Sequence, residues 1–95
     1  MQDFDEKLFE DLASVEHQIW SDWQSWLHGL CKENDDGSLT IPKDKVLRWN
    51  RQIHTNYKDL SEEEKRSDRE QVKKYWQLIM LWQQKRRGVV GIDGT

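Results

Sequence analysis

Apolar residues recur at steps of four and three along the first third of the chain: Phe4, Leu8, Leu12, Val15, Ile19, Trp23, Trp26 and Leu30. That rhythm describes one face of an amphipathic α-helix of roughly 25–30 residues, ending near Gly29 to Lys32. A thinner stripe, Phe9, Trp20 and Leu27, runs beside the main seam. A helix with two apolar faces is either buried on both sides or commits one of them to a partner or ligand. Acidic residues crowd its first turns, where they complement the positive end of the helix dipole.

Turn formers then interrupt the rhythm at Asn34-Asp35-Asp36-Gly37-Ser38, and Leu39-Thr40-Ile41 alternates like a short strand. Pro42 suits the first position of a second helix, which carries Val46, Leu47, Trp49, Asn50 and Ile53. His54 to Leu60 is irregular. Ser61-Glu62-Glu63-Glu64 has the form of a capping box, with Ser61 as N-cap and Glu64 at the third helical position. The third helix shows Val72, Tyr75, Trp76, Ile79 and Trp82 on one face. It is expected to stop at Gly88, with Lys85, Arg86 and Arg87 in its last turn. The pattern predicts an all-α fold. A three-helix small domain spans residues 1–88, with a short hairpin-like insertion between helices 1 and 2 and a flexible tail over 89–95.

Composition sharpens this picture. Only 35% of the 95 residues are hydrophobic, so the aromatic 11%, six tryptophans among them, must carry much of the burial. Trp23, Trp26, Trp76 and Trp82 lie on the helical seams and are expected as core, in part as dimer interface. The single cysteine, Cys31, excludes an internal disulfide framework and fits a reducing cytoplasm. The acidic N-terminus has no signal-peptide pattern. The longest apolar run, Leu78 to Trp82, falls far short of the ~20 residues of a membrane span, so no membrane association is expected.

The net charge of −3 hides an asymmetry. Met1 to Glu33 holds eight acids and two lysines, whereas Lys43 to Arg87 holds thirteen bases and seven acids. Such a split lets an acidic helix pack beside a basic one, within the chain or across a dimer, or lets the basic half face an anion. The acidic half would repel a phosphate backbone, which argues against nucleic acid as a partner.

The chemical motifs mostly fail on inspection. Placing Gly37 at position six of a calcium loop puts Lys32 and Lys43 at positions one and twelve, where carboxylates are required. His28 and Cys31 could share a helix face, but no second close pair completes a zinc site. No nucleophile turn and no phosphate-cradling glycine loop is present. No catalytic residue, metal or cofactor is therefore predicted, and the chain reads as a non-enzyme.

Polar and aromatic groups concentrate between Trp49 and Arg69. Arg51 offers a planar fork for phosphate or carboxylate. Trp20, Trp23 and Tyr57 could stack a flat heterocycle, at roughly 1–3 kcal/mol per base by analogy with nucleic-acid platforms. The structural alternative is that Tyr57 and Leu60 anchor the loop and that Asp68 and Arg69 pair along the helix.

The run T-x-Y-x-x-L-S-E-x-E-K-x-S-D-R at Thr55 to Arg69, with H-x-x-W at His17 and Trp20, resembles the ryanodine-receptor repeat domain. Three further motifs are W-S-x-W at Trp20 to Trp23, D-G-S-L-T-I-P at Asp36 to Pro42 and R-W-x-R-Q at Arg48 to Gln52. With these the chain is more closely similar to a group of small proteins of bacteriophages and prophages, over about Val15 to Trp82. It departs from that group at Asn56, where proline is common.

Ryanodine-receptor repeats are small helical modules arranged in pairs, one pair being associated with adenine nucleotides. A single copy would form a homodimer or a higher homo-oligomer to reproduce the pairing. Phage proteins of this size include sponges for bacterial immune signals. The resemblance thus implies a binding module in the bacterial host cytoplasm that sequesters a cyclic dinucleotide or ADP-ribose derivative in an aromatic, arginine-lined cleft. Trp20, Trp23 and Tyr57 would stack the base, beside Trp49; Arg51 and Arg69 would meet phosphates; His17, Gln52 and Thr55 would fix orientation. The alternative is a protein-interaction module that inhibits a host protein through exposed tryptophans.

Overall fold

A computed structural model describes the backbone of residues 3–94 and the side chains of residues 5–87. The fold is mostly α, with three helices and a two-stranded hairpin between the first and second. The elements are α1 (Asp3–Leu30), β1 (Lys32–Glu33), β2 (Leu39–Thr40), α2 (Lys43–Ile53), a 3-10 turn (Tyr57–Asp59) and α3 (Glu62–Gly94). They form two compact units. One comprises Met1–Ile19 with Arg69–Thr95, the other Trp20–Asp68.

In the Trp20–Asp68 unit, β1 and β2 pair antiparallel with Lys32 opposite Thr40 and Glu33 opposite Leu39. The connecting turn is held by its own polar groups. Gly37 takes φ of 87°, a backbone region that glycine enters without a Cβ clash, and its N–H donates to the Asn34 carbonyl. The Asn34 side-chain amide donates to the hydroxyls of Ser38 and Thr40. Pro42 precedes α2 as its N-cap, one position earlier than the sequence suggested, and its carbonyl accepts from the Lys45 and Val46 N–H groups.

α3 opens with the predicted capping box. The Glu64 N–H donates to Ser61 Oγ at 3.1 Å, and the Ser61 N–H donates back to Glu64 Oε1 at 3.1 Å. The helix does not stop at Gly88 but continues to Gly94. A single helical glycine costs about 1 kcal/mol relative to alanine, which weakens a helix without ending it. Phe4 and the tail side chains lie outside the residues whose side chains are described.

In the other unit, Trp82 Nε1 donates to Asp5 Oδ1 at 3.0 Å, which brings the start of α1 beside the later part of α3. Antiparallel pairing from that point matches Ile19 with a residue near Arg69, where this unit ends. Leu8, Leu12, Val15 and Ile19 of α1 and Tyr75, Leu78, Ile79 and Trp82 of α3 are half-buried.

The core differs from expectation. Among the described residues no apolar side chain is buried, and the buried residue is Glu64, 4% exposed. Of the four tryptophans expected as core, Trp23, Trp26 and Trp76 are 47%, 51% and 52% exposed, and only Trp82 is half-buried. Val72 is exposed as well. The reason is geometric. Val72 and Trp76 sit roughly 90–130° around α3 from the Tyr75–Leu78–Trp82 stripe, and contact with a single helix covers only a narrow seam.

Candidate functional site

The Trp20–Asp68 unit gathers three indoles from two helices. Steps of three place Trp23 and Trp26 on neighbouring positions of α1, and α2 supplies Trp49. Trp23 and Trp26 have ring centroids 6.4 Å apart at 48°, Trp23 and Trp49 6.3 Å at 49°, and Trp26 and Trp49 6.1 Å at 54°. These are tilted contacts within the favourable range for aromatic pairs. Trp49 is half-buried, while the other two keep about half of their surface open. A flat heterocycle held between two of these rings would need them parallel, and at 48° to 54° they are not.

The same unit holds a polar latch. Arg51 Nη2 donates to Glu64 Oε2 at 2.7 Å. The other carboxylate oxygen, Oε1, accepts from the Ser61 N–H and, at 2.9 Å, from the Ser61 hydroxyl. The Ser61 backbone N–H holds the Glu64 carboxyl below its ordinary value of 4.5; burial opposes this, and hydrogen bonds from Arg51 and the Ser61 hydroxyl add to it. Thr55 Oγ1 donates to the Arg51 carbonyl, and the His54 ring Nδ1 lies 2.8 Å from the Asn50 carbonyl, so both finish the end of α2. Lys65 Nζ sits 5.8 Å from the Tyr57 ring centroid, a cation–π contact.

Of the residues singled out in the sequence, Trp23 and Trp49 meet in the indole cluster. Arg51 carries an ion pair with Glu64, and Thr55 acts on the backbone. Gln52 is half-buried, and Trp20 and Tyr57 are exposed. His17 and Arg69 are exposed and belong to the other unit. Three participants were not singled out as site residues. The sequence places Trp26 on the helical seam, Glu64 in the capping box of α3 without pairing it to Arg51, and Lys65 within the polar–aromatic segment from Trp49 to Arg69.

The acidic turn is also self-contained. Asp36 Oδ1 accepts from the Ser38 hydroxyl at 2.6 Å and from the Ser38 N–H at 2.9 Å, and these bonds lower its pKa below the ordinary 3.8. Among the described residues, no three His, Cys, Asp or Glu groups lie together as a metal site, and no helix is long and apolar enough to cross a membrane. Compared with known protein families, with curated proteins and with solved structures, the chain has no match in any of the three.

Proposed function

We propose that this chain is a non-enzymatic interaction module that docks an apolar protein surface on the Trp23–Trp26–Trp49 cluster. The observation that carries the proposal is the half-exposure of Trp23 and Trp26 in mutual contact with Trp49. Tryptophan is enriched at interface hot spots because a large, stiff ring releases much water for little lost conformational freedom. The exposed side chains of Val46, Leu47 and Ile53 on α2 add apolar surface to the same unit.

Two observations weigh against a nucleotide-derived signal as the main ligand. The rings are tilted rather than parallel, and the Arg51 fork, which would meet a phosphate, is engaged by Glu64. The experiment is pull-down from host lysate with the wild-type chain and with Trp23→Ser and Trp26→Ser, alongside calorimetry against cyclic dinucleotides and ADP-ribose compounds. A captured protein lost on either substitution, with helix content unchanged by circular dichroism, supports the proposal. Binding heat from a nucleotide with no tryptophan-dependent protein partner replaces it with the small-molecule reading.

A further inference from the structure

In the unit made of Met1–Ile19 and Arg69–Thr95, two helices meet along a single seam. The seam residues Leu8, Leu12, Val15 and Ile19 on α1 are half-buried, as are Tyr75, Leu78 and Trp82 on α3. Phe9 lies about 90° around α1 from that seam, and Val72 and Trp76 lie about 90–130° around α3 from theirs, at 100° per residue. Because the helices run in opposite directions, both offsets open on the same side of the pair. That side therefore carries Phe9, 61% exposed, and Trp76, 52% exposed, with Val72 also exposed.

The chemistry bordering this face is self-complementary. At 100° per residue, Glu6 and Glu16 on α1 and Arg69, Arg86 and Arg87 on α3 lie within about 60° of this face. Two copies related by a twofold axis can place each acidic α1 over the partner's basic α3. Like-charged α3–α3 packing would oppose itself. Two adjacent helices are about 20 Å across, and the stretch from Arg69 to Arg87 rises about 28 Å, a projected face of about 560 Å² before side-chain relief is added, against about 800 Å² per partner in a standard interface.

We infer that a second copy of this chain covers the Phe9–Val72–Trp76 face, giving a homodimer with a four-helix core built from two helix pairs. Such packing would give the seam residues the burial that one pair does not supply. Leu81 is exposed on the opposite side of α3 and stays outside the interface.

The test is sedimentation equilibrium of the full chain, with the tryptophan-cluster variant Trp23→Ser as the control for the docking surface proposed above. Wild type and Trp23→Ser are expected at about twice the 11.5 kDa of one chain. Trp76→Glu and the milder Phe9→Gln should raise the dimer dissociation constant at least tenfold, and Leu81→Glu should leave it within about twofold. Glu16→Lys, which changes charge without removing apolar area, should weaken the dimer in the same direction. A wild-type chain that stays monomeric at 100 µM overturns the inference. So does a dimer that survives both Trp76→Glu and Phe9→Gln, or one that only Trp23→Ser dissociates. If Trp76→Glu fails to fold, Phe9→Gln and Glu16→Lys decide the matter.

Discussion

Arg51 and Glu64, thirteen positions apart, are joined by a 2.7 Å ion pair in which the arginine is half exposed and the glutamate side chain is almost wholly covered. The same carboxylate closes the capping box of α3, so one side chain both starts a helix and ties it to the end of α2. Removing either partner has unequal effects. Arg51→Met leaves Glu64 with its Ser61 bonds, whereas Glu64→Leu removes the glutamate half of the capping box together with the anion that Arg51 meets. Glu64→Leu is therefore expected to lower the melting temperature more than Arg51→Met. Ser61→Ala should cost about 1 kcal/mol, a shift of about 4–8 °C in a domain of this size.

The same carboxylate makes stability depend on acid. Its folded pKa lies below the ordinary 4.5, so the folded state holds on to the charged form more strongly than the unfolded chain does. The resulting stability is fully present above about pH 4.5 and is lost as pH falls through the lower, folded value. Asp36, lowered by Ser38, contributes with the same sign. Melting curves from pH 7 to pH 3 should fall on the acid side for wild type. Glu64→Gln should start lower and fall less. Parallel curves for the two proteins would remove Glu64 from this account.

Glycine at position 37 is required by geometry rather than by space. A Cβ there would meet nothing within 4 Å, yet φ is +87°. Gly37→Ala should therefore destabilise by about 1–2 kcal/mol, the ordinary penalty for an L-residue in this region, with Gly37→Asn milder. Gly29 has comparable open space and no positive φ, so Gly29→Ala should be neutral or stabilising by a few tenths to about 1 kcal/mol. Chemical denaturation of the two alanine variants checks the contrast.

These particulars show where local sequence was a sufficient guide. The rhythm from Leu8 to Leu30, the Asp36-Gly37 turn and the Ser61–Glu64 box all act within a few residues, and helices, hairpin and cap follow from them. The burial of the tryptophans was not readable in this way. Periodicity says that Trp23, Trp26 and Trp76 lie on apolar stripes, but which stripe meets a neighbour depends on the number of helices available to cover it. With one helix against each seam, the wider stripe of α3 divides, and Val72 and Trp76 remain outside. Arg51 illustrates a second limit. A guanidinium fits a phosphate and a carboxylate equally well, and only the placement of Glu64 shows which anion it meets within the chain.

Surface and core tryptophans should differ in energetic cost. A fully buried tryptophan truncated to alanine costs about 3–5 kcal/mol. Trp23 and Trp26 keep about half of their surface, so truncation of either should cost about 1–2 kcal/mol, mostly through lost ring contacts. Trp49, half-buried and in contact with both, should cost more than either. Urea denaturation of the three alanine variants would show this order, and a cost above about 3 kcal/mol at Trp23 would mean that the ring is covered in solution.

The Asp5–Trp82 hydrogen bond gives a check on how α1 and α3 are aligned. A neutral indole N–H donating to a carboxylate contributes about 1–2 kcal/mol when both groups are held in place. Asp5→Ala and Trp82→Phe each remove the bond, but Trp82→Phe also changes ring packing and the contact of Arg86, whose guanidinium sits 5.0 Å from the Trp82 ring. A double-mutant cycle cancels those separate effects and leaves the coupling between positions 5 and 82. A coupling of about 1 kcal/mol is expected. Glu6→Ala should show none with Trp82→Phe, because Glu6 lies about 100° around α1 from Asp5. Equal coupling at both acids would mean that Trp82 senses the general negative charge of α1 rather than one carboxylate. The antiparallel alignment drawn from this bond would then lose its anchor.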